Sequence, residues 1–335
     1  MSIDWNQLGF EYMDTNCHIR YTWRDGQWDK GELIESPYFN LHIAATCLHY
    51  GQACFEGLKA FRGEDEKIRI FRPKDNSARM NSSARRTLMA EVPEDIFTEA
   101  TIRVVEANKE FVPPFESGGA LYIRPLLIGS GPRIGIQPAA EYHFIILVTP
   151  VGNYYKGGLK PVAATIVDGF DRTAPNGTGD VKVAGNYAAS LLPGKIAKEQ
   201  GFPINLYLDS KEHRFIDEFG TSNFIGIKGN TYVTPESKTI LPSITNKSLM
   251  EIAKDMGMTV ERRPVEFSEV REFDAVGACG TAVVITPVKE VHNNGEVITI
   301  GDDTVHPTLQ KLYDRMTAIQ KGLEEDKFNW CVTLD

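Results

Sequence analysis

Asn176-Gly177-Thr178-Gly179-Asp180 leads through Val181 into Lys182-Val183-Ala184-Gly185-Asn186-Tyr187. A polar, flexible loop here enters packed structure, and a lysine stands at the entrance. Such a lysine can bond to a carbonyl cofactor once its surroundings lower its pKa. Taken alone it reads as a solvated loop lysine, because most lysines are exposed. What lies on either side decides between the two readings.

Upstream, Pro150, Gly152, Gly157, Gly158 and Pro161 end the apolar runs, so residues 151–161 read as an interdomain linker. The chain has 335 residues, a length that suits two domains. Residues 1–150 read as a small α+β domain and residues 162–335 as a larger one. In the first, Phe55–Phe61 and Lys67–Phe71 flank the polar Gly63-Glu64-Asp65 turn as a hairpin. Pro73-Lys74-Asp75 opens a helix reaching about Met89, and a second helix is predicted over Thr98–Val112. Ala120–Gly129 and Tyr142–Thr149 read as buried strands, with Pro125 calling for a bulge or an edge position.

Downstream, Val162–Val167 reads as a strand, and Asn223–Lys228 with Thr231–Thr234 as a hairpin around Gly229-Asn230. Thr245–Met256 is an amphipathic helix with Leu249, Ile252, Ala253 and Met256 at helical spacing. Leu241-Pro242-Ser243-Ile244-Thr245 leads into it; a helix start suits a phosphate, though Ser243 or Thr245 serves equally as an ordinary N-cap. Glu218, before Phe219-Gly220-Thr221, is a carboxylate beside a small-residue turn that could face a positive ring nitrogen or simply solvent. Gly280-Thr281-Ala282 offers a hydroxyl and backbone N–H groups to an anion. Gly129-Ser130-Gly131 with Gly135 misses the dinucleotide fingerprint by one residue, and Pro132 follows at once.

The bulk numbers exclude other classes. Net charge is −9, with 42% hydrophobic and 24% charged residues and no basic run, a poor match to nucleic acid or an anionic membrane. No stretch approaches the roughly 20 apolar residues of a membrane helix, and residues 1–10 carry no secretory pattern. Five cysteines without zinc-like pairing read as free thiols of a cytoplasmic protein, and no metal site is expected.

The pieces together resemble the branched-chain aminotransferases of the class IV, or D-amino-acid-aminotransferase-like, pyridoxal-phosphate fold. The resemblance runs in order from about Tyr38 to Trp330. Its segments are His49-Tyr50-Gly51, Phe55-Glu56-Gly57-Leu58-Lys59-Ala60-Phe61, Phe71-Arg72-Pro73, Arg79-Met80 and Tyr122-Ile123-Arg124-Pro125. Lys182 with Gly185-Asn186-Tyr187, Glu218 with Gly220-Thr221, Leu241-Pro242 and Gly280-Thr281-Ala282 complete it. It implies a two-domain α/β (α+β) fold, smaller N-terminal and larger C-terminal domain, with the cofactor between them. It also implies transfer of the amino group of leucine, isoleucine or valine to 2-oxoglutarate, giving branched 2-oxo acids and glutamate.

The resemblance assigns roles position by position. Lys182 would hold pyridoxal 5'-phosphate covalently and carry the proton of the reaction. Glu218 would pair with the ring nitrogen and Tyr187 with the phenolic oxygen. Arg79, the backbone at Ile244 and Thr245, and Thr281 would bind the phosphate. Tyr122 with the amides of Thr281 and Ala282 would take the α-carboxylate, and Phe55, Tyr187 and Thr221 the branched side chain. Arg124 would receive the second carboxylate of glutamate. Tyr50 would reach in from the partner of a homodimer with shared active sites, and Tyr154 could close over substrate.

Two positions depart from the pattern: Ala184 stands for the usual first glycine after the lysine, and Ser243 for the glycine after Leu-Pro. Neither change removes a reacting group. Val283 and Thr286 stand near where some animal relatives carry a thiol pair, so no redox switch of that kind is expected. Pro193 places the start of the following helix near Leu192. The rivals are a D-amino-acid transaminase or 4-amino-4-deoxychorismate lyase of the same fold, and a non-catalytic phosphate-binding protein.

Overall fold

The computed structural model describes residues 3–153 and 158–335. They fall into two compact units that divide within residues 151–161. The first also takes in Val181–Ala184 and Ala318–Asp335, which the sequence reading had put with the C-terminal domain. The cause is backbone pairing: Val183 bridges to Cys54, and Cys331–Leu334 lines up antiparallel with Ile68–Phe71.

In chain order the first unit holds strands β1 (His18–Arg24), β2 (Gln27–Trp28) and β3 (Glu32–Ile34), then helix α1 (Thr46–Tyr50). Strands β4 (Ala53–Phe55), β5 (Leu58–Arg62) and β6 (Ile68–Phe71) precede helices α2 (Pro73–Arg86) and α3 (Glu94–Ala107), and β7 (Ala120–Gly129) and β8 (Glu141–Val151) follow. Next come β9 (Val162–Ile166), α4 (Ala184–Ala189), α5 (Leu191–Glu199) and β10 (Ile204–Leu208). Strands β11 (Ile216–Phe219), β12 (Ser222–Lys228) and β13 (Thr231–Pro235) lead to α6 (Ile244–Asp255). The chain ends with β14 (Thr259–Arg263), β15 (Ala275–Gly280), β16 (Val284–Asn293), β17 (Glu296–Thr299), α7 (Pro307–Lys321) and β18 (Cys331–Leu334).

The first sheet is antiparallel in the order β18-β6-β5-β7-β8-β1-β2, with β3 beside β1 and β4 beside β7. Helices α2 and α3 cover one face: Met80, Ala84, Phe97, Ala100 and Val104 pack on Ile70, Leu121, Ile123 and Phe144. Pro73 occupies the first turn of α2, where its missing N–H costs nothing. Helix α3 starts four residues earlier than the predicted Thr98, since Glu94 and Asp95 after Pro93 favour the positive end of the dipole.

Pro125 lies neither at an edge nor at a bulge. It pairs with Ile146 of β8, and its carbonyl accepts the N–H of Glu56. Its nitrogen has no hydrogen to return to Glu56, and the pairing with β7 is interrupted there, between β4 and β5. Phe55 is thereby separated from the β5–β6 hairpin and pairs with Leu126 instead.

The second unit is a mixed sheet that closes on itself. Strands run β11-β10-β9-β16-β15-β12, and β11 also pairs with β12; β13 and β14 extend it and β17 joins β16. Strand β9 is parallel to both neighbours. Leu206, Phe219, Phe224, Val233, Phe273, Val276, Val288 and Val291 fill its core. Helix α5 begins at Leu191, so Pro193 sits in its first turn.

Candidate active site

Val181 and Val183 are buried in the first unit's core, and alternation turns Lys182 between them the other way. The Lys182 N–H donates to Ser83 Oγ at 2.9 Å, and its carbonyl accepts from the Phe55 N–H at 3.1 Å. Two elements thus fix the lysine's backbone. Its Nζ lies 4.7 Å from the centre of the Phe55 ring.

Arg124 is carried on the same face of β7 as Tyr122. Its guanidinium sits 4.9 Å from the Phe55 ring centre and 5.2 Å from that of Tyr122, and its Nη2 donates to the Tyr122 hydroxyl at 2.9 Å. Among the described residues its buried Nε has no hydrogen-bond partner. A buried donor without an acceptor costs stability, so this one is poised for an anion. Phe10, which the sequence reading passed over, meets Tyr122 edge-on with ring centres 5.1 Å apart.

Arg79 is 9% exposed and Glu56 0%. The Nε and Nη2 of Arg79 donate to the two oxygens of Glu56 at 2.8 and 2.6 Å. One edge of the guanidinium fork therefore belongs to Glu56. Tyr50, at the end of α1, is exposed and donates to the Ile134 carbonyl. Ile43 and Ile136 nearby are 83% and 88% exposed, which puts Tyr50 in an apolar surface patch.

In the second unit, Glu218 is 3% exposed on β11. Its Oε1 forms an ion pair with Arg172 Nη2 at 2.8 Å and accepts from the Leu241 N–H at 3.0 Å, and its Oε2 accepts from Asn223 Nδ2 at 2.8 Å. Burial pushes its carboxyl up to about 7, against the pull of Arg172, the Leu241 N–H and Asn223. A carboxylate has about four acceptor sites, so these two hydrogen bonds and the ion pair leave room on Oε2 for one more N–H. That donor set fits a protonated ring nitrogen.

Ile244 and Thr245 are buried in the first turn of α6, and the N-cap Ser243 accepts from the Asn246 N–H at 3.2 Å. A helix start leaves its first N–H groups without intrahelical partners. Thr281 and Ala282 lie in the turn between β15 and β16, Thr281 half-buried and Ala282 exposed. Directly after it Val284 has φ 63°, a strained position for a β-branched residue. Thr221 is exposed after Gly220, where a Cβ would stand 2.7 Å from Asn205 Oδ1. Tyr187 is half-buried on α4, and its neighbour Asn186 clamps Thr178 with two 2.7 Å hydrogen bonds. Tyr154 lies outside the described residues.

The first unit thus brings Lys182, Phe55, Arg124 and Tyr122 together, and Arg79 is tied to Glu56. Arg172 and Asn223 were missed because no motif marks them: Arg172 comes from the segment after β9, and Asn223 is set opposite Glu218 by the register of the β11–β12 hairpin.

Residues 53–291 match the family Amino-transferase class IV. A branched-chain-amino-acid aminotransferase of Haemophilus influenzae is 46% identical over 99% of both chains. A branched-chain amino acid aminotransferase structure from Escherichia coli has 27% identity and a TM-score of 0.79, covering 93% of this chain and 98% of that one. The pyridoxal-phosphate form of the Thermobaculum terrenum branched-chain amino acid aminotransferase, at 21% identity and a TM-score of 0.79 over 96% and 99% of the two chains, shares the fold. The chain belongs to the class IV aminotransferases, enzymes that work with pyridoxal 5'-phosphate.

Proposed function

We propose that this protein moves the amino group of leucine, isoleucine or valine to 2-oxoglutarate in branched-chain amino acid metabolism. The observation that carries the reading is the cluster of Lys182, Phe55, Tyr122 and Arg124, an amine and an orphaned guanidinium donor beside apolar rings. The full-length likeness to the Haemophilus influenzae enzyme supports it over a lyase or a D-amino-acid transaminase. A non-catalytic phosphate-binding protein would need neither Lys182 nor a buried Glu218.

Bound pyridoxal 5'-phosphate supplies a carbonyl and an electron-accepting ring. Lys182 would hold the cofactor through its amine and, once displaced by substrate, would carry the proton of the reaction. Glu218 keeps the ring nitrogen protonated, and Tyr187 donates to the phenolic oxygen. Arg79, the backbone of Ile244 and Thr245, and Thr281 bind the phosphate. Tyr122, with the amides of Thr281 and Ala282, orients the α-carboxylate. Phe55, Tyr187 and Thr221 exclude water around the branched side chain. Arg124 donates to the second carboxylate of glutamate.

A second copy of the chain covers the patch at Ile43, Tyr50 and Ile136, and Tyr50 serves the partner's site in a homodimer. Free thiols at Cys17, Cys47, Cys54, Cys279 and Cys331 support a reducing, cytoplasmic setting. Among the described residues no helix is long and apolar enough to cross a membrane.

The test is spectroscopic and chemical. The purified protein should show a visible band that borohydride removes, and peptide mapping should find the pyridoxyl group on Lys182. Labelling of another lysine would sink the assignment. Lys182→Ala should fold, yet lose transamination by many orders of magnitude. Rates for a panel of amino acids with 2-oxoglutarate then test the substrate class.

A further inference from the structure

Behind Glu218 lies a chain of buried polar side chains that the proposed reaction does not use. Tyr232 is 0% exposed, Asn223 4% and Asn246 6%. The Tyr232 hydroxyl donates to Asn246 Oδ1 at 2.7 Å. Asn246 Nδ2 donates to Asn223 Oδ1 at 3.2 Å and to Thr234 Oγ1 at 2.8 Å. Asn223 Nδ2 donates to Glu218 Oε2 at 2.8 Å and to the Leu241 carbonyl at 3.1 Å. The Thr234 hydroxyl leaves the chain towards the Phe224 carbonyl at 2.8 Å.

The direction of these bonds is determined. A flip of the Asn223 amide would set its carbonyl oxygen against two acceptors, the Glu218 carboxylate and the Leu241 carbonyl. A flip of Asn246 would set its carbonyl oxygen against Asn223 Oδ1 and turn its amine towards the Tyr232 hydroxyl. Burial holds the Tyr232 phenol well above its ordinary value, so it stays a donor. From Tyr232 through Asn246 and Asn223 each link therefore donates towards Glu218, and such chains polarise in one sense.

We propose that Tyr232, Asn246 and Asn223 form a one-way relay of donors that, with Arg172, positions the Glu218 carboxylate and ties it to the first turn of α6. These are positioning residues, since none needs to touch substrate. The inference rests on the reading of Glu218 as partner of the ring nitrogen and of α6 as the phosphate helix. One connected network then holds both ends of the cofactor: Asn246 is the third residue of α6, directly after Ile244 and Thr245. Arg172 is anchored independently, its Nη1 donating to the carbonyls of Gly179 at 3.1 Å and Thr239 at 2.6 Å. The titratable groups facing Glu218 are Arg172, Asp217 on its own strand and Cys279 on β15.

The experiment compares full-length wild type with Asn246→Leu and Tyr232→Phe. The second removes only one hydroxyl from a packed ring, so it serves if Asn246→Leu fails to fold. In the apoprotein, the Glu218 carboxyl is titrated by carbon-13 NMR, its signal assigned by loss in Glu218→Gln. With the relay cut, the midpoint should rise by roughly half to one pH unit, because Asn223, no longer held and polarised from behind, donates more weakly to the charged form. In the holoenzyme the acid limb of kcat for the leucine half-reaction should rise in parallel, with KM within about twofold. The cofactor should also bind roughly tenfold more weakly to Asn246→Leu.

An unmoved titration in the variants that fold overturns the relay, and so does lost thermal stability with an unmoved titration. The apoprotein measurement also separates this inference from the function it rests on. Absence of pyridoxyl on Lys182 in wild type would remove the cofactor role while a shifted Glu218 midpoint still stood.

Discussion

Gly57 and Tyr122 are locked together: a Cβ at position 57 would stand 2.2 Å from the Tyr122 hydroxyl oxygen. The glycine of Phe55-Glu56-Gly57 is therefore the space into which the tyrosine's polar tip fits. That tip also accepts from Arg124 at 2.9 Å. Gly57→Ala should fold but push the ring aside, away from Arg124. If Tyr122 holds the α-carboxylate, KM for every amino acid should rise about tenfold or more, with kcat less changed. Steady-state kinetics with leucine and glutamate check it, and an unchanged KM would remove Tyr122 from carboxylate binding.

Glu56 and Arg79 form a bidentate pair with side-chain exposures of 0% and 9%. Removing one partner of such a pair leaves an uncompensated buried charge. Glu56→Ala should lower unfolding stability by about 3–5 kcal/mol. Urea denaturation of the apoprotein measures this. A loss under about 1 kcal/mol would mean the guanidinium finds another partner or water. Glu56→Gln keeps the shape and one acceptor, and should retain more stability than the alanine variant.

The periodic elements were legible before the structure because local forces set them. Gly229-Asn230 specifies the β12–β13 turn, and Leu249, Ile252 and Ala253 specify the buried face of α6. Non-local pairing was not legible. Phe55 reads as part of the β5–β6 hairpin, yet the break at Glu56-Gly57 hands it to β7. Residues 331–334 look like an ordinary tail until β6 offers an unpaired edge. The same limit applies to the candidate site. Lys182 and Glu218 stand in recognisable segments, whereas Arg172 comes from a segment distant in sequence and Asn223 meets Glu218 only through the register of the β11–β12 hairpin. Nothing in the sequence showed that Arg79 shares its guanidinium with Glu56.

Glu218 also predicts a pH signature in the apoprotein. Its folded pKa of about 7 lies above the model-peptide range because the carboxyl is buried. A raised folded pKa means the native state holds a proton that the unfolded chain has released. The stability this group contributes is present below the unfolded value, about 4.3, and is lost as pH rises through about 7. Glu218→Gln, fixed in the neutral form, lacks this decline. The stability of wild type relative to the variant should fall by something on the order of 3 kcal/mol between pH 4 and pH 8. Urea unfolding of both apoproteins across that range measures the difference, and a constant difference refutes it. In the loaded enzyme the same variant should keep the cofactor but turn over far more slowly.

The last prediction concerns dual specificity. A transaminase of this kind must take an apolar leucine side chain in one half-reaction and a glutamate carboxylate in the other. The Phe55 ring suits the first, and Arg124, its guanidinium 4.9 Å from that ring's centre, suits the second. Its Nη2 already bonds the Tyr122 hydroxyl, while its buried Nε has no partner among the described residues. Arg124→Met keeps the length and the apolar stem but removes the charge and the donors. Glutamate and 2-oxoglutarate should then lose on the order of 2–5 kcal/mol of transition-state binding, for want of a partner to the second carboxylate. Leucine needs no such partner and should lose far less, apart from whatever Tyr122 gives up when its own donor goes. Single-turnover rates for leucine and for glutamate, measured separately on the variant, decide the matter. Equal losses would mean that Arg124 only braces Tyr122, and the glutamate selector would have to be sought elsewhere.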